Sequence, residues 1–384
     1  MFLALRDLRF AKGRFALMGV VVALITLLLV MLSGLSAGLG DQSTSAIDRL
    51  GETGDNTAVD RIVFGAAEGG EPTASFTESQ VSAEQVRRWD DQPGVLRAEP
   101  LGIGQSRLQG VPGGGGTAGT ANVAVFGVDG GSPLSPLPVR EGAVVIGETV
   151  AEDLGLDVGD RASVGGLDLT VGGIVADRWY SHTSVVWTAL PTWASLSHVG
   201  VSGQVGTVAA VTYDDGVSAG AANGTSNGGA VDVDTADRAA GTVSATRTGS
   251  FQALGSYKSE NGSLLMMQGF LYGISALVIV AFLTVWTVQR TRDIAVLKAL
   301  GASGGYVLRD AMTQAAVVLL AGAGVGGAIG VAGGILAARA APFLVTPSTT
   351  LLPVAGIVAL GLVGAALAVR RVTKVDALIA LGGN

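Results

Sequence analysis

The 384-residue chain contains no cysteine. A disulfide framework, thiolate metal sites and a thiol nucleophile are therefore excluded. Charge is scarce: Asp, Glu, Lys and Arg make up 14% of the residues, against about a quarter in soluble domains. There are two histidines, His182 and His198, and they lack the H-E-x-x-H spacing of a zinc hydrolase. No G-x-S-x-G elbow occurs. No Gly-Lys-Ser/Thr follows any Gly-rich stretch, so the chain cannot bind and hydrolyse ATP through a P-loop. Its acids are scattered and read as solvated surface charge. The sequence thus offers no catalytic residue, no metal site, no cofactor of its own and, at a net charge of −7, no nucleic-acid partner.

What is present is long apolar runs. Four uncharged stretches, Phe15–Gly40, Asn261–Gln289, Ala311–Ala338 and Ala340–Val369, can each hold the ~20 residues of a membrane helix. Pro342, Pro347 and Pro353 at the start of the fourth place its helix from about Leu351. Outside residues 41–260, eleven of the twelve basic residues lie in three short segments (Arg6, Arg9, Lys12, Arg14; Arg290, Arg292, Lys298, Arg309; Arg370, Arg371, Lys374), Arg339 being the other. The 41–260 segment carries 12 basic and 27 acidic residues. Short basic loops stay in the cytoplasm. The expected fold is a membrane α-helical bundle of four transmembrane helices with a mixed α/β extracytoplasmic domain inserted between helices 1 and 2. Its parts are a cytoplasmic N-terminal segment (1–14), helix 1 (15–40), the outer domain (41–260), helix 2 (261–289), a cytoplasmic loop with a coupling helix (290–309), helix 3 (310–339), a short extracellular loop (340–350), helix 4 (351–370) and a cytoplasmic tail (371–384). The 26 uncharged residues of the first run exceed a signal-peptide core of ~7–15 residues, so the first span is expected to be an uncleaved anchor.

Within the outer domain, "SAEQVRRWDDQPGV" opens on a capping box, Ser82 to Gln85, and stops at Pro93-Gly94, which predicts a helix. Thr149 to Glu152 reads as a second capping box, opening a short helix that ends near Gly155. "ANVAVFGVD", "GAVVI" and "SVVWTAL" read as strands, and "RASVGGLDLTVGGIV" as a hairpin around Gly165-Gly166. His182, in "RWYSHTSVVW", reads as a turn leading into a strand. The stretches 110–122 and 216–230 are Gly-rich and nearly uncharged, and read as flexible loops.

In the third span Gly322, Gly326, Gly330 and Gly334 recur every four residues, a spacing that lets two helices approach closely; glycine is also common throughout the chain. No span carries an interior charge, which argues against an ion-coupled transporter. Tyr257, Glu260, Met266, Met267 and Tyr272 cluster in sequence at the entry to the second span, and Met31 lies in the first. They read either as packing and interfacial anchors or as oxygen and sulfur ligands for an apolar molecule in the outer leaflet.

Between the second and third spans stands "RTRDIAVLKALGAS" (290–303). On a helix, Ile294, Leu297 and Leu300 share one face and the cations the other, with Gly301 as the stop. So small an apolar face suits a groove on a protein partner better than a bilayer. This motif resembles the cytoplasmic loop of FtsX/MacB-type ABC-transporter permeases, as do "VVIGETVAEDLGLDVGDRASVGGLDLTVGGIV", the closing "VDALIALGG" and the four-span layout. The resemblance implies a homodimer of permeases joined to two copies of a separate ATPase that carries ATP-Mg. Asp293, Leu297, Lys298, Ala299, Leu300, Gly301 and Ala302 would then form the docking element. "FLALRDLRFAKGRFALMGVVVALITLLLVMLSGLSAGL" and "DRWYSHTSVVWT" further resemble permeases of haem-efflux transporters in Gram-positive bacteria. That implies haem as the exported ligand, held near the outer leaflet by residues such as Tyr257, Met266 and Met267. Export of another hydrophobic compound, or a non-transporting role in which the ATPase moves the outer domain to regulate a cell-wall hydrolase or a sensor, fits the same family.

Leu297→Asp is expected to abolish co-purification with an ATPase encoded nearby while the chain stays in the membrane. Persistence of the complex would refute docking through this loop.

Overall fold

The computed structural model describes residues 12–52, 57–67, 70–111, 116–117, 119–197, 203–214, 217–220, 230–289, 296 and 303–372. The chain forms two compact units, residues 40–260 and the remainder.

The 40–260 unit is a mixed α/β domain. In chain order it contains the end of helix α1 (Lys12–Asp48), β1 (Arg61–Phe64), β2 (Val81–Ser82), α2 (Ala83–Asp90), β3 (Val95–Gly110), β4 (Thr120–Val128), β5 (Ala143–Gly147), α3 (Glu148–Leu154), β6 (Arg161–Val164) and β7 (Leu167–Val175). There follow β8 (Trp179–Tyr180), β9 (Thr183–Ala189), α4 (Leu190–Leu196), β10 (Gln204–Gly206), β11 (Val208–Tyr213), β12 (Ser218–Gly220), β13 (Ala230–Asp232), α5 (Val233–Ala240), β14 (Val243–Thr246), a 3₁₀ turn (Gly249–Ala253) and the start of α6 (Gly255–Gln289).

The 16-residue strand β3 organises this domain. Its first half pairs with β11, and through it with β1 and β14. Its second half pairs with β4, and its last residues, Leu108–Gly110, with β6. The pairings β4–β9, β9–β5, β5–β7 and β7–β6 then close a ring back to β3. The central strands are apolar on both faces, as burial on both sides requires. On β4 and β9, Phe126, Val185 and Trp187 join a core with Ile47 of α1 and Leu50 just beyond it, while Val123, Val125 and Val186 join a second core with α3 and Trp193. A third cluster packs α2 and α5 on β1 and β11, with Trp89 at its centre donating from Nε1 to Thr242 (3.0 Å).

The other unit contains the rest of α1 and α6, with α7 (Gly304–Ala337) and α8 (Pro347–Val372). Each of the four is long and apolar enough to cross a membrane. They pack through Met18, Val22, Leu29, Ile279, Leu283, Leu319, Ala323 and Ile357. The glycines of α7 meet α1: a Cβ added at Gly322 would press on Gly19 and Val22, at Gly326 on the backbone of Ala23, and at Gly330 on Val30. Gly334 instead lies under Phe343 and Val345.

Several boundaries differ from the sequence reading. The first helix does not stop at Gly40 but continues to Asp48, and the second begins at Gly255, not Asn261. The third begins at Gly304, inside the 290–309 loop, because the Ser303 side chain caps it by accepting from the Tyr306 N–H (3.3 Å). The fourth begins at Pro347 rather than Leu351. Thr346 accepts from the Thr349 N–H (3.2 Å), and proline is favoured at the first helical position, where its missing N–H costs nothing. Residues 347–350 are therefore helical, and Pro353 lies inside the helix.

The Ser82–Gln85 capping box forms, with bonds of 3.0 and 3.3 Å. That at Thr149–Glu152 does not. The helix starts at Glu148 on an N-cap at Gly147, two residues before Thr149, and Thr149 gives its N–H and hydroxyl to Asp177, which serves as the cap from 28 residues away. The Gly165-Gly166 hairpin turn has φ of +55° and +90°, as a type I′ turn needs. In the two Gly-rich stretches, Thr117 is tied to the Leu154 carbonyl (2.7 Å), and Ser218–Gly220 pairs in parallel with β13; residues 112–115, 118 and 221–229 lie outside the described residues.

Gly326→Ala is expected to lower the stability of the detergent-purified protein by about 1–3 kcal/mol, the usual cost of overpacking. Gly324→Ala, whose added Cβ meets open space, should leave it unchanged. Equal melting temperatures for the two variants would contradict this packing.

Candidate coupling site

The end of α1 and the start of α6 are joined by a hairpin tip. Strands β8 and β9 are connected by two residues, Ser181 and His182, with φ of +48° and +64°. A type I′ two-residue turn has positive φ at both positions, a conformation that costs energy for any residue but glycine, although asparagine, aspartate and histidine adopt it more often than the rest. What holds the tip in place is a set of bonds to the end of α1. The Ser181 N–H donates to the Ser43 carbonyl (3.1 Å) and the His182 N–H to the Gln42 carbonyl (2.9 Å). The Trp179 N–H donates to Ser45 Oγ (3.0 Å), and Arg178 Nη1 to the Arg49 carbonyl (2.5 Å).

The His182 side chain completes the junction. Its Nε2 lies 2.9 and 3.0 Å from the two carboxylate oxygens of Glu260 on α6, and 3.1 Å from Ser43 Oγ on α1. An ionised carboxylate only accepts, so Nε2 carries a proton and donates it toward Glu260. One imidazole thus ties together two helices that are far apart in sequence. Burial lowers the Arg178 pKa from its ordinary value, while the nearby Glu52 charge raises it and Arg49 lowers it. Burial likewise raises the Tyr180 hydroxyl pKa.

The structure gives the six proposed ligand residues separate surroundings. Tyr257 packs edge-on against Phe251 (5.8 Å), and Glu260 is engaged by His182. Met266 and Met267 are 64% and 54% exposed on α6, on a face shared with Phe270, Ile274 and Leu277. Tyr272 packs toward Gly356 of α8, and Met31 toward Gly333 of α7. Asp293, Leu297, Lys298, Ala299, Leu300, Gly301 and Ala302 lie outside the described residues, as does His198. Sequence reading gave His182 no role beyond its turn. The usable signal was Ser-His at a two-residue turn where Asn-Gly would be comfortable.

Residues 248–377 match the family described as FtsX-like permease C-terminal, and residues 15–225 that described as MacB-like periplasmic core domain. An uncharacterised ABC transporter permease of Mycobacterium tuberculosis is 27% identical over 403 residues, covering 100% of this chain and 99% of the relative. A putative hemin transport system permease protein HrtB of Staphylococcus epidermidis is 24% identical over 388 residues, with the same coverage of each. The extracellular domain of the noncanonic ABC-type transporter YknZ from Gram-positive bacteria aligns with a TM-score of 0.32 and 12% identity, covering 49% of this chain and 99% of that one.

Replacing His182 separates backbone strain from side-chain bonding. His182→Val, β-branched at φ +64°, should be about 1–3 kcal/mol less stable than His182→Gly. Denaturation of the purified full chain measures the difference, and equal stabilities would rule out a strained turn.

Proposed function

The chain belongs to the family of FtsX- and MacB-type ABC transporter permeases, and on that premise we propose that it is the membrane subunit of an ATP-driven efflux pump that removes haem from the membrane. A permease of this family implies a separate ATPase and is not itself the catalyst. In the proposed arrangement the 290–303 loop docks that ATPase in the cytoplasm. Both chain termini lie on the same side, residues 40–260 lie outside, and two permeases assemble with two ATPases. Closure of the ATPases moves the helices, and the ends of α1 and α6, tied at His182, pass that movement to the hairpin and sheet.

The observation that carries the haem reading is the full-length likeness to relatives named as putative hemin transport permeases. The exposed apolar face of α6 supports it: Met266, Met267 and Phe270 present apolar surface and thioether sulfur, and methionine, tyrosine, histidine or thiolate can ligate haem iron. Tyr257 supplies a phenol on the same helix. Glu260 is the weaker ligand candidate, since His182 already occupies its carboxylate. The tie at His182 also favours a second reading, in which the moving outer domain regulates an external enzyme or sensor without transport.

Haem added to the detergent-purified chain is expected to give a shifted Soret band that weakens at least severalfold with Tyr257→Ala or with Met266→Ala/Met267→Ala. An unshifted spectrum at every haem concentration would dispose of haem as ligand and leave export of another hydrophobic compound or the second reading. A deletion strain hypersensitive to haem, rescued by the wild-type gene, is the matching result in cells.

A further inference from the structure

From Gly322 to Gly333, α7 meets α1 directly: a Cβ added at Gly322, Gly326, Gly330 or Gly333 would touch that helix. At Gly334 the contact changes kind. A Cβ there, or at Gly34 of α1, would collide with the same end of one ring, Cε1 and Cζ of Phe343. Phe343 is 8% exposed and belongs to neither helix; it comes from the connection between α7 and α8. One turn along α1, a Cβ at Gly38 would collide with the Pro342 carbonyl. The Leu344 N–H donates to the Gly34 carbonyl (3.1 Å), in the interior of α1. The connection is thus seated on α1 by a ring, a carbonyl and a hydrogen bond.

Both ends of this connection are also fixed. The Ala341 N–H donates to the Ala337 carbonyl (2.9 Å) at the end of α7. At the start of α8, Thr349 Oγ1 donates to the Leu344 carbonyl (3.1 Å) and accepts from the Thr346 N–H (2.9 Å). A segment so short and so bonded has little freedom of its own. A connection that only returned the chain to α8 would need no seat on α1, and glycine inside a helix is otherwise a cost. Here Gly34, Gly38 and Gly334 make room for it on two helices. The two helices have different destinations. α7 begins on Ser303, where the 290–303 loop ends. α1 runs on to Asp48, and its Ala46 and Ile47 belong to the core of the 40–260 domain.

We propose that residues 341–346 are a strap that fastens α7 to α1 through Phe343, so that the two helices move as one body and a displacement of α7 arrives at the domain core through α1. The source of that displacement rests on the docking of an ATPase at 290–303; the fastening does not.

The test uses the full chain in lipid nanodiscs. Because the chain has no cysteine, Ser36→Cys with Leu336→Cys supplies the only thiols for a pair of nitroxide labels. Ser36 stands two positions from both Gly34 and Gly38, and Leu336 two from Gly334, so neither shares a helix face with the seat. Double electron–electron resonance should give one narrow distance. Phe343→Ala should shift or broaden it by about 2 Å, the range over which contact side chains set helix spacing. Gly38→Ala, which displaces Pro342 and leaves the ring in place, should do the same, and it decides alone if Phe343→Ala does not yield folded protein. Leu351→Ala, at a position 63% exposed on α8, should change nothing. With the ATPase bound and trapped by ATP and vanadate, the distance should stay constant with Phe343 present and change with Phe343→Ala. A distance unmoved by Phe343→Ala overturns the strap, and so does a separation of α1 from α7 on trapping while Phe343 is present. If no ATPase binds, docking at 290–303 fails, and the distances measured on the chain alone still decide the fastening.

Discussion

A backbone amide in the apolar layer of a membrane has no water to bond, so the chain must bond it internally. Continuous helices follow from that requirement, and here they are longer than the layer itself. About 20 residues suffice to cross, yet α1 has 37 and α6 has 35. The surplus is where the 40–260 domain is built. Ala46 and Ile47 of α1 are core residues of the domain, so this helix is part of its interior rather than a tether attached to its surface.

The hairpin tip depends on that continuity. Two strained residues are tolerated because several bonds to the end of α1 fix the turn at once, and the strain falls at the position where His182 reaches Glu260. The long strand β3 couples this corner to the rest of the domain. It pairs on one side with the β11–β1–β14 ladder and closes the ring with β4 and β6 on the other. From the tip, β9 pairs with β4 and β4 with β3, so hydrogen-bonded strands connect this corner to both halves of the domain.

Features encoded by neighbouring residues were legible in the sequence. The Ser82–Gln85 box, the Gly165-Gly166 turn and the four apolar runs each depend on residues a few positions apart. Features completed from a distance were not. Thr149 looked like a local cap, but its partner Asp177 arrives through the fold. His182 looked like a plain turn because Glu260 lies 78 residues away. The spacing of Gly322, Gly326 and Gly330 announced close packing without naming α1 as the surface it meets. Prolines mislead in the opposite direction: Pro347 reads as a barrier, yet it occupies the one helical position that favours it. The seat of Phe343 is assembled from Gly34 and Gly334 on two different helices, and no local pattern announces it.

The clasp of His182 on Ser43 and Glu260 has an evolutionary consequence. It draws together the two points at which the chain enters and leaves the domain. A domain whose ends are neighbours is topologically an insertion. It can be enlarged, trimmed or exchanged for another while the four helices keep their own packing. A lineage built on this plan can retain one engine and alter what faces the outside, provided that any replacement offers the two helix ends a comparable clasp.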